Sequence, residues 1–340
     1  MIFIITLLTF LFYYFASLAV DKPRKQQIFI LCFISSSVVL RDIINITLNN
    51  DYYLYYNFKI FHKPDGFLSF LINEPYLYCI YSIFNNFFEL KSDVFLAMYW
   101  FNFLINTSFF IWILTRRDVE VFKKMILFVL YYFVLGFVVL RNGPSYILFS
   151  LFFYYTFRDF KFKWVLLTPF MHISSCVILV TYFYRNKWYY IVTMLTPIIL
   201  IFLFFLFSKF LHSLPAFESI LFKINYYSKG MKAIGLAHKV FFIFVCCLFL
   251  TGVFLYKERM NHPILVTTML VYTLSFFINP SVAHRFSPYI LFALLLAPFS
   301  FAKGNGKVII VNHLTVLLFP VFLYSLFLAH KNSLFLEWFS

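Results

Sequence analysis

The sequence predicts an all-α, polytopic integral membrane protein. Three observations carry that expectation. Apolar runs long enough to cross a bilayer follow one another along the chain. The charged residues gather in short clusters between those runs. Only 12% of the 340 residues are charged and 63% are hydrophobic, which leaves too little charged surface to cover a water-soluble core of this size. A soluble enzyme, a disordered chain and a disulfide-rich secreted module are thereby excluded. The expected architecture is about 10–12 transmembrane helices in one polytopic domain over residues 1–340, with two longer polar loops at 43–73 and 208–236.

Residues 2–20 carry no charge and end at Asp21-Lys22-Pro23-Arg24-Lys25. No basic region precedes them and no small-residue cleavage site follows, so they read as a retained first span rather than a signal peptide. The positive-inside rule places that basic cluster in the cytoplasm. Residues 26–40 give a second span, ending at Arg41-Asp42. The excursion at 43–73 holds Asn45, Asn49, Asn50, Asp51, Lys59, His62, Lys63 and Asp65, and is expected outside. Its Tyr and Phe residues suit a segment lying on the membrane surface. Glu74-Pro75 reads as a helix start, and the apolar stretch 76–88 is short enough to be interfacial or re-entrant.

Residues 94–114 are a clear span, followed by the strongest basic cluster, Arg116 to Lys124, expected in the cytoplasm. Residues 125–157 read as two spans joined at Arg141-Asn142-Gly143-Pro144, and Arg158 to Lys163 return to the cytoplasm. Two apolar stretches follow at 164–184 and 188–207, the first open to a break at Pro169. Further spans are expected at 238–256, 264–280, 286–302 and 308–329. Strict alternation would put the loop 208–236 in the cytoplasm. A segment 164–184 that enters and leaves on one side would put that loop outside, and would bring Arg185/Lys187, Lys257/Arg259 and Lys303/Lys307 inside. The charges leave both arrangements open, and the external one is carried forward.

The net charge is +15, from 28 Lys and Arg against 13 Asp and Glu. Because the cations sit between apolar runs, they indicate topology and an anionic bilayer or lipid-linked phosphate as partner, with no nucleic acid. The five Cys lie in apolar segments without metal-ligand spacing, so no metal site is expected. Every acid lies in a loop or at a span edge. An ion-coupled transporter usually carries a carboxylate near the midplane, so that class is disfavoured. No Gly-rich phosphate loop or metalloprotease motif is present, and no cofactor is expected.

Chemistry must then come from isolated polar residues. Arg141 is the only charge between Lys124 and Arg158, and Arg285 the only one between Arg259 and Lys303. An Arg held in hydrocarbon costs roughly 2.5–3.5 kcal/mol on insertion scales. Its planar fork matches phosphate oxygens; the alternative is that both simply snorkel at span ends. His172 is a candidate general base or phosphate donor, or a helix His bonded to a neighbour, with Ser174 and Ser175 as helix-packing residues. Asp51 and Tyr55 would share one face of a surface helix. Asp51 could take a proton from a sugar hydroxyl or cap that helix. Glu74 is a second external carboxylate.

Taken in order, these features resemble the EpsG/Wzy-like family of bacterial polysaccharide polymerases. The resemblance runs over roughly residues 35–330. It is carried by Arg41, Asp51-x-x-x-Tyr55, Glu74-Pro75, Leu140-Arg141-Asn142-Gly143, Lys161-Phe162-Lys163, Phe170-Met171-His172-Ile173-Ser174, the Tyr226-Tyr227 loop, and the Arg285 segment ending near Pro298. The chain departs from the family's pattern at Asn49-Asn50, where Gly-Thr is usual. It departs again at Asn142, where Gln is frequent, and at Met171, which separates a Phe–His pair. The resemblance implies a multi-pass enzyme of the bacterial inner membrane that polymerises O-antigen, capsule or exopolysaccharide. Its substrate would be an undecaprenyl-pyrophosphate-linked oligosaccharide, joined on the periplasmic or outer face without a nucleotide sugar. A chain-length regulator and a flippase of the same pathway would be its partners. Arg41, Tyr55, Arg141 and Arg285 would bind pyrophosphate and sugar, and His172, Asp51 or Glu74 would activate the acceptor hydroxyl. A polysaccharide or lipid flippase, a membrane-bound O-acyltransferase and a non-enzymatic assembly or anchoring subunit are the competing readings.

Overall fold

The computed structural model describes residues 2–57, 70, 75–172, 174–189, 191, 193, 195, 236–255, 262–278 and 280–299. Glu74, most of the 43–73 loop beyond Asn57, nearly all of the 208–236 loop and the expected span 308–329 lie outside these residues. Every regular element among the described residues is helical. Among the described residues, four helices are long and apolar enough to cross a membrane: Ile2–Ala19, Pro23–Ile43, Lys91–Thr115 and Val121–Val138. The described chain forms two compact units, each treated by itself below.

The first unit contains residues 2–57 and 79–147. Helices α1 (Ile2–Ala19) and α2 (Pro23–Ile43) are joined by a tight link and pack side by side. Pro23 occupies the first turn of α2, where its missing N–H costs nothing. One face of the pair is aromatic. Phe10 and Tyr14 meet Phe33 at 5.1 and 5.4 Å between ring centres. The opposite face exposes Ile4, Leu8 and Phe12 on α1 and Ile28, Leu31 and Val39 on α2, the surface a bilayer would solvate.

A 3₁₀ turn at Ile46–Leu48 leads into the short helix α3 (Asn50–Tyr56). The 3₁₀ turn is capped by Asn45, whose side chain accepts from Thr47 N at 3.0 Å. Helix α4 (Pro75–Asn85) begins at Pro75, as the Glu74-Pro75 pattern predicts. Helix α5 (Lys91–Thr115) is the longest among the described residues, and α6 (Val121–Phe133) continues into a π-helical turn at Val134–Val138. Tyr14 stacks on Phe128 of α6 at 3.4 Å, and Phe110 of α5 meets Tyr132 at 5.2 Å. Aromatic pairs of this kind contribute roughly 0.5–1.5 kcal/mol each beyond burial. They tie α1, α2, α5 and α6 into one core.

The basic cluster between α5 and α6 differs from a simple solvated loop. Helix α6 already starts at Val121, and Lys123 and Lys124 are buried on it. Lys124 Nζ donates to Leu114 O at 2.8 Å, and Tyr14 Oη donates to Lys124 O at 3.1 Å. The last carbonyls of α5 have no helical donors, and a lysine reaching back supplies one.

The second unit holds the described residues from 148 to 299, with a short stretch before residue 79. Helix α7 (Gly143–Thr156) begins in the first unit and passes into the second. Segment 163–183 is not one span. It forms a 3₁₀ turn (Lys163–Leu167), α8 (Thr168–Met171), α9 (Ser175–Leu179) and a second 3₁₀ turn (Val180–Phe183). Pro169 lies in the first turn of α8, so the local cause is the expected one, but the chain breaks again after Met171. Three apolar helices follow: α10 (Leu236–Leu255), α11 (Pro263–Ile278) and α12 (Pro280–Leu296). Helix α12 starts earlier than the expected residue 286, so Arg285 lies within a helix rather than ahead of one. The unit is held by Phe242 stacked on Phe276 at 4.1 Å, Phe149 edge-on to Tyr289 at 5.0 Å, and Tyr189 Oη donating to Thr267 Oγ1 at 2.6 Å.

Candidate functional site: a buried guanidinium beside a broken helix

Arg41 sits in the last turn of α2. Its side chain is only 2% exposed, and Nε, Nη1 and Nη2 are all buried without a hydrogen-bond partner among the described residues. Two rings of the same unit face the guanidinium, Phe137 at 5.4 Å and Tyr99 at 5.8 Å from their centres. Ring faces recover roughly 0.5–2 kcal/mol, and the C-terminal end of α2 favours a cation by a similar amount. Neither replaces the hydrogen bonds that a buried charge needs, since an unpaired buried ion costs several kcal/mol.

Phe137 reaches Arg41 because the helix carrying it breaks. The π turn at 134–138 closes with Val139 N on Val134 O at 2.8 Å. Val139 is extended (φ −86, ψ 100), and α7 begins only at Gly143. The break leaves carbonyls that an α-helix would have used. Three asparagines take them up. Asn106 Nδ2 donates to Tyr132 O (3.0 Å), and Asn102 Nδ2 to Leu135 O (2.7 Å) and Val139 O (3.1 Å). Asn49 Nδ2 donates to Val138 O (2.9 Å) and Phe137 O (3.3 Å) and lies 3.4 Å from Tyr99 Oη. Irregular backbone at membrane depth persists only where protein satisfies it in this way, and π turns recur at functional sites.

Arg141 lies at the apex of the break. It is half-buried, and its guanidinium sits 5.9 Å from the centre of the Tyr55 ring on α3. Tyr55 itself is 5% exposed, and its neighbour Tyr52 lies 6.3 Å from Tyr99. Of the residues singled out from sequence, Arg41, Tyr55 and Arg141 therefore share one cluster. Asp51 belongs to the same helix as Tyr55, and its side chain lies outside the described residues.

His172 and Arg285 belong to the second unit. His172 is buried, and it is not on a helix as expected. It occupies the extended break between α8 and α9 (φ −156, ψ 124), where its N–H donates to Thr168 O at 2.9 Å. The hydroxyls of Ser174 and Ser175 beside it are buried without a hydrogen-bond partner among the described residues. Arg285 is half-buried on α12. No group of three or more metal-ligating side chains occurs among the described residues.

Sequence reasoning from charges alone missed Asn49, Tyr99, Asn102, Asn106 and Phe137. The available signal was Asn102-x-x-x-Asn106, two amides one helical turn apart inside an apolar span, where polar side chains are costly and seek partners.

No protein-family model, curated protein or solved structure matches this chain.

Proposed function

We propose that this chain is a polysaccharide polymerase of the bacterial inner membrane, similar to the EpsG/Wzy-like enzymes, acting on oligosaccharide units carried on undecaprenyl pyrophosphate. The observation that carries the reading is the Arg41 guanidinium: buried, without a hydrogen-bond partner among the described residues, and clustered with Tyr55 and Arg141. A charge kept at that cost suits a site that an anion completes, and a guanidinium fork fits phosphate oxygens.

In the proposed reaction an acceptor sugar hydroxyl attacks the anomeric carbon of the lipid-linked chain. The new glycosidic bond forms as the bond to pyrophosphate breaks. The lipid pyrophosphate leaves with the electron pair, and the hydroxyl proton passes to a base. Arg41 and Arg141, which share the cluster of the first unit, neutralise the departing pyrophosphate. His172, Asp51 or Glu74 receives the proton.

The test is deletion of the gene in its own host, with surface polysaccharide sized on a gel, followed by complementation with Arg41→Ala, Arg141→Ala and His172→Ala. Loss of long chains with single repeat units still delivered supports polymerisation. Loss of all units at the surface supports a flippase instead, and unchanged polymer rejects the reading. Arg141→Ala, at normal protein level, should lower polymer yield by more than about tenfold, because a charge gripping phosphate contributes more than about 1.4 kcal/mol.

A further inference from the structure

Asn102 touches both arms of the turn that carries Arg141. Its Nδ2 donates to Leu135 O and Val139 O on the incoming arm. Its Oδ1 lies against the outgoing arm, where a methyl group at Gly143 would come within 3.3 Å of it. Gly143 therefore permits a close approach, and a side chain there would require the Asn102 amide to give by a few tenths of an ångström. Asn49 makes the matching connection for α3. It fixes Phe137 and Val138 through their carbonyls. It also directly precedes α3, and its carbonyl accepts from Tyr52 N at 2.8 Å. Tyr55, over which Arg141 lies, is thus set by the same clasp that sets Phe137 against Arg41.

We infer that Asn102 and Asn49 are positioning residues. They hold the break at 134–142 so that the guanidinium groups of Arg41 and Arg141 are presented together to one anionic ligand. Neither amide needs to touch that ligand. Asn102 acts by fixing the residues on either side of Arg141, and Asn49 by fixing Phe137 and Tyr55, one ring against each guanidinium. An amide is required, because aspartate at 102 would turn two donated hydrogen bonds into contacts between a carboxylate and carbonyl oxygens.

The ligand part of this inference rests on the phosphate reading above; the positioning part does not. The test therefore has two arms on the detergent-solubilised full chain. In the first, inorganic pyrophosphate binding is measured for the unsubstituted protein, Asn102→Ala, Arg141→Ala and the double variant. Asn102→Ala should weaken binding by about tenfold, and the double variant should bind no more weakly than Arg141→Ala alone, because Asn102 acts through Arg141. Full additivity, or no loss in Asn102→Ala, overturns the inference. Absence of pyrophosphate binding by the unsubstituted protein would instead count against the phosphate reading.

In the second arm, amide hydrogen exchange is followed in the absence of ligand. Asn102→Ala and Asn102→Asp should speed exchange over 139–146 by about tenfold or more and leave 121–131 of α6 unchanged. Asn102→Gln, which keeps the amide, should restore part of the protection. Unchanged exchange over 139–146 overturns the clasp whatever the ligand, and exchange speeded equally along α6 reduces Asn102 to an ordinary packing residue.

Discussion

The Arg41 guanidinium lies 5.4 Å from the centre of the Phe137 ring and makes no hydrogen bond to any described residue. Such an arrangement opposes stability. Arg41→Met keeps an unbranched side chain of similar reach and removes the buried charge. Replacing buried ionic groups with apolar ones of similar volume is often neutral or stabilising by roughly 1–4 kcal/mol. Arg41→Met is therefore expected to leave the thermal unfolding midpoint unchanged or raised, and to abolish long-chain surface polymer. A lowered midpoint with polymer intact would reverse the assignment and make Arg41 a structural residue.

Gly136 lies in the π turn, and a methyl group there would come within 2.6 Å of Asn106 Nδ2. Gly136→Ala must displace the amide that holds Tyr132 O. The expected cost is about 1–3 kcal/mol, from overpacking and from the carbonyl left unpaired. Asn106→Ala alone should cost a similar amount by leaving the same carbonyl unpaired. Because the two changes destroy one contact, the double variant should lose less than the two single losses combined. Equilibrium unfolding in detergent measures all three, and strict additivity would show that the close approach is incidental.

His262 precedes α11, and its Nδ1 accepts from Ile264 N at 3.3 Å. Phe157 and Tyr184 flank the ring at 5.2 and 5.0 Å. Burial lowers its pKa from 6.5 to about 4; Asp159 opposes that shift and Arg185 adds to it. The folded protein thus holds His262 neutral where the unfolded chain would take up a proton. Stability from this group is full above about pH 6.5 and is lost as pH falls toward about 4. His262→Asn keeps a side-chain acceptor for the helix N-terminus without the titration. The fall in unfolding midpoint between pH 7 and pH 4.5 should shrink in that variant, and an unchanged fall would assign the acid sensitivity elsewhere.

Asp159 follows α7 with φ 63, in the left-handed region. Its carboxylate lies 3.7 Å from Arg185 at the surface, an ion pair worth little. Backbone conformation is the stronger constraint. Asp159→Val should lower stability by about 1–2 kcal/mol, since a β-branched side chain clashes there. Asp159→Gly should be neutral to slightly stabilising. Equal losses for the two substitutions would indicate that the carboxylate, not the backbone, matters.

Much of this architecture was legible in the order of residues. An all-helical chain with helices long and apolar enough to cross a membrane follows from composition, because too few charges exist to cover a soluble core. The first two long apolar helices, the one near 94–114 and the helix ending before Arg141-Asn142-Gly143-Pro144 follow from apolar run length and from where glycine, proline and charge interrupt it; the second span expected there is instead the 14-residue helix Gly143–Thr156, shorter than a membrane crossing needs. Arg141 stood out as an isolated cation, and Pro75 as a helix start. These are local properties, readable one window at a time. Arg41 was carried by its place in an ordered set of weak motifs rather than by anything in its immediate surroundings.

Tertiary structure alone decided the rest. That Arg41 faces Phe137 and Tyr99, and that Arg141 lies over Tyr55, depends on helices far apart in sequence meeting at one end. The π turn at 134–138 is invisible to hydrophobic periodicity, because the same apolar residues would serve a regular helix; it exists because Asn49, Asn102 and Asn106 offer donors to the carbonyls it frees. The burial of Lys123 and Lys124 reverses what a charge cluster suggests, because helix ends packed inside a protein require donors for their carbonyls. Sequence determines which segments leave water. Which polar groups must then answer one another is determined only when those segments pack, since a buried hydrogen-bonding group takes whatever partner the fold brings within reach.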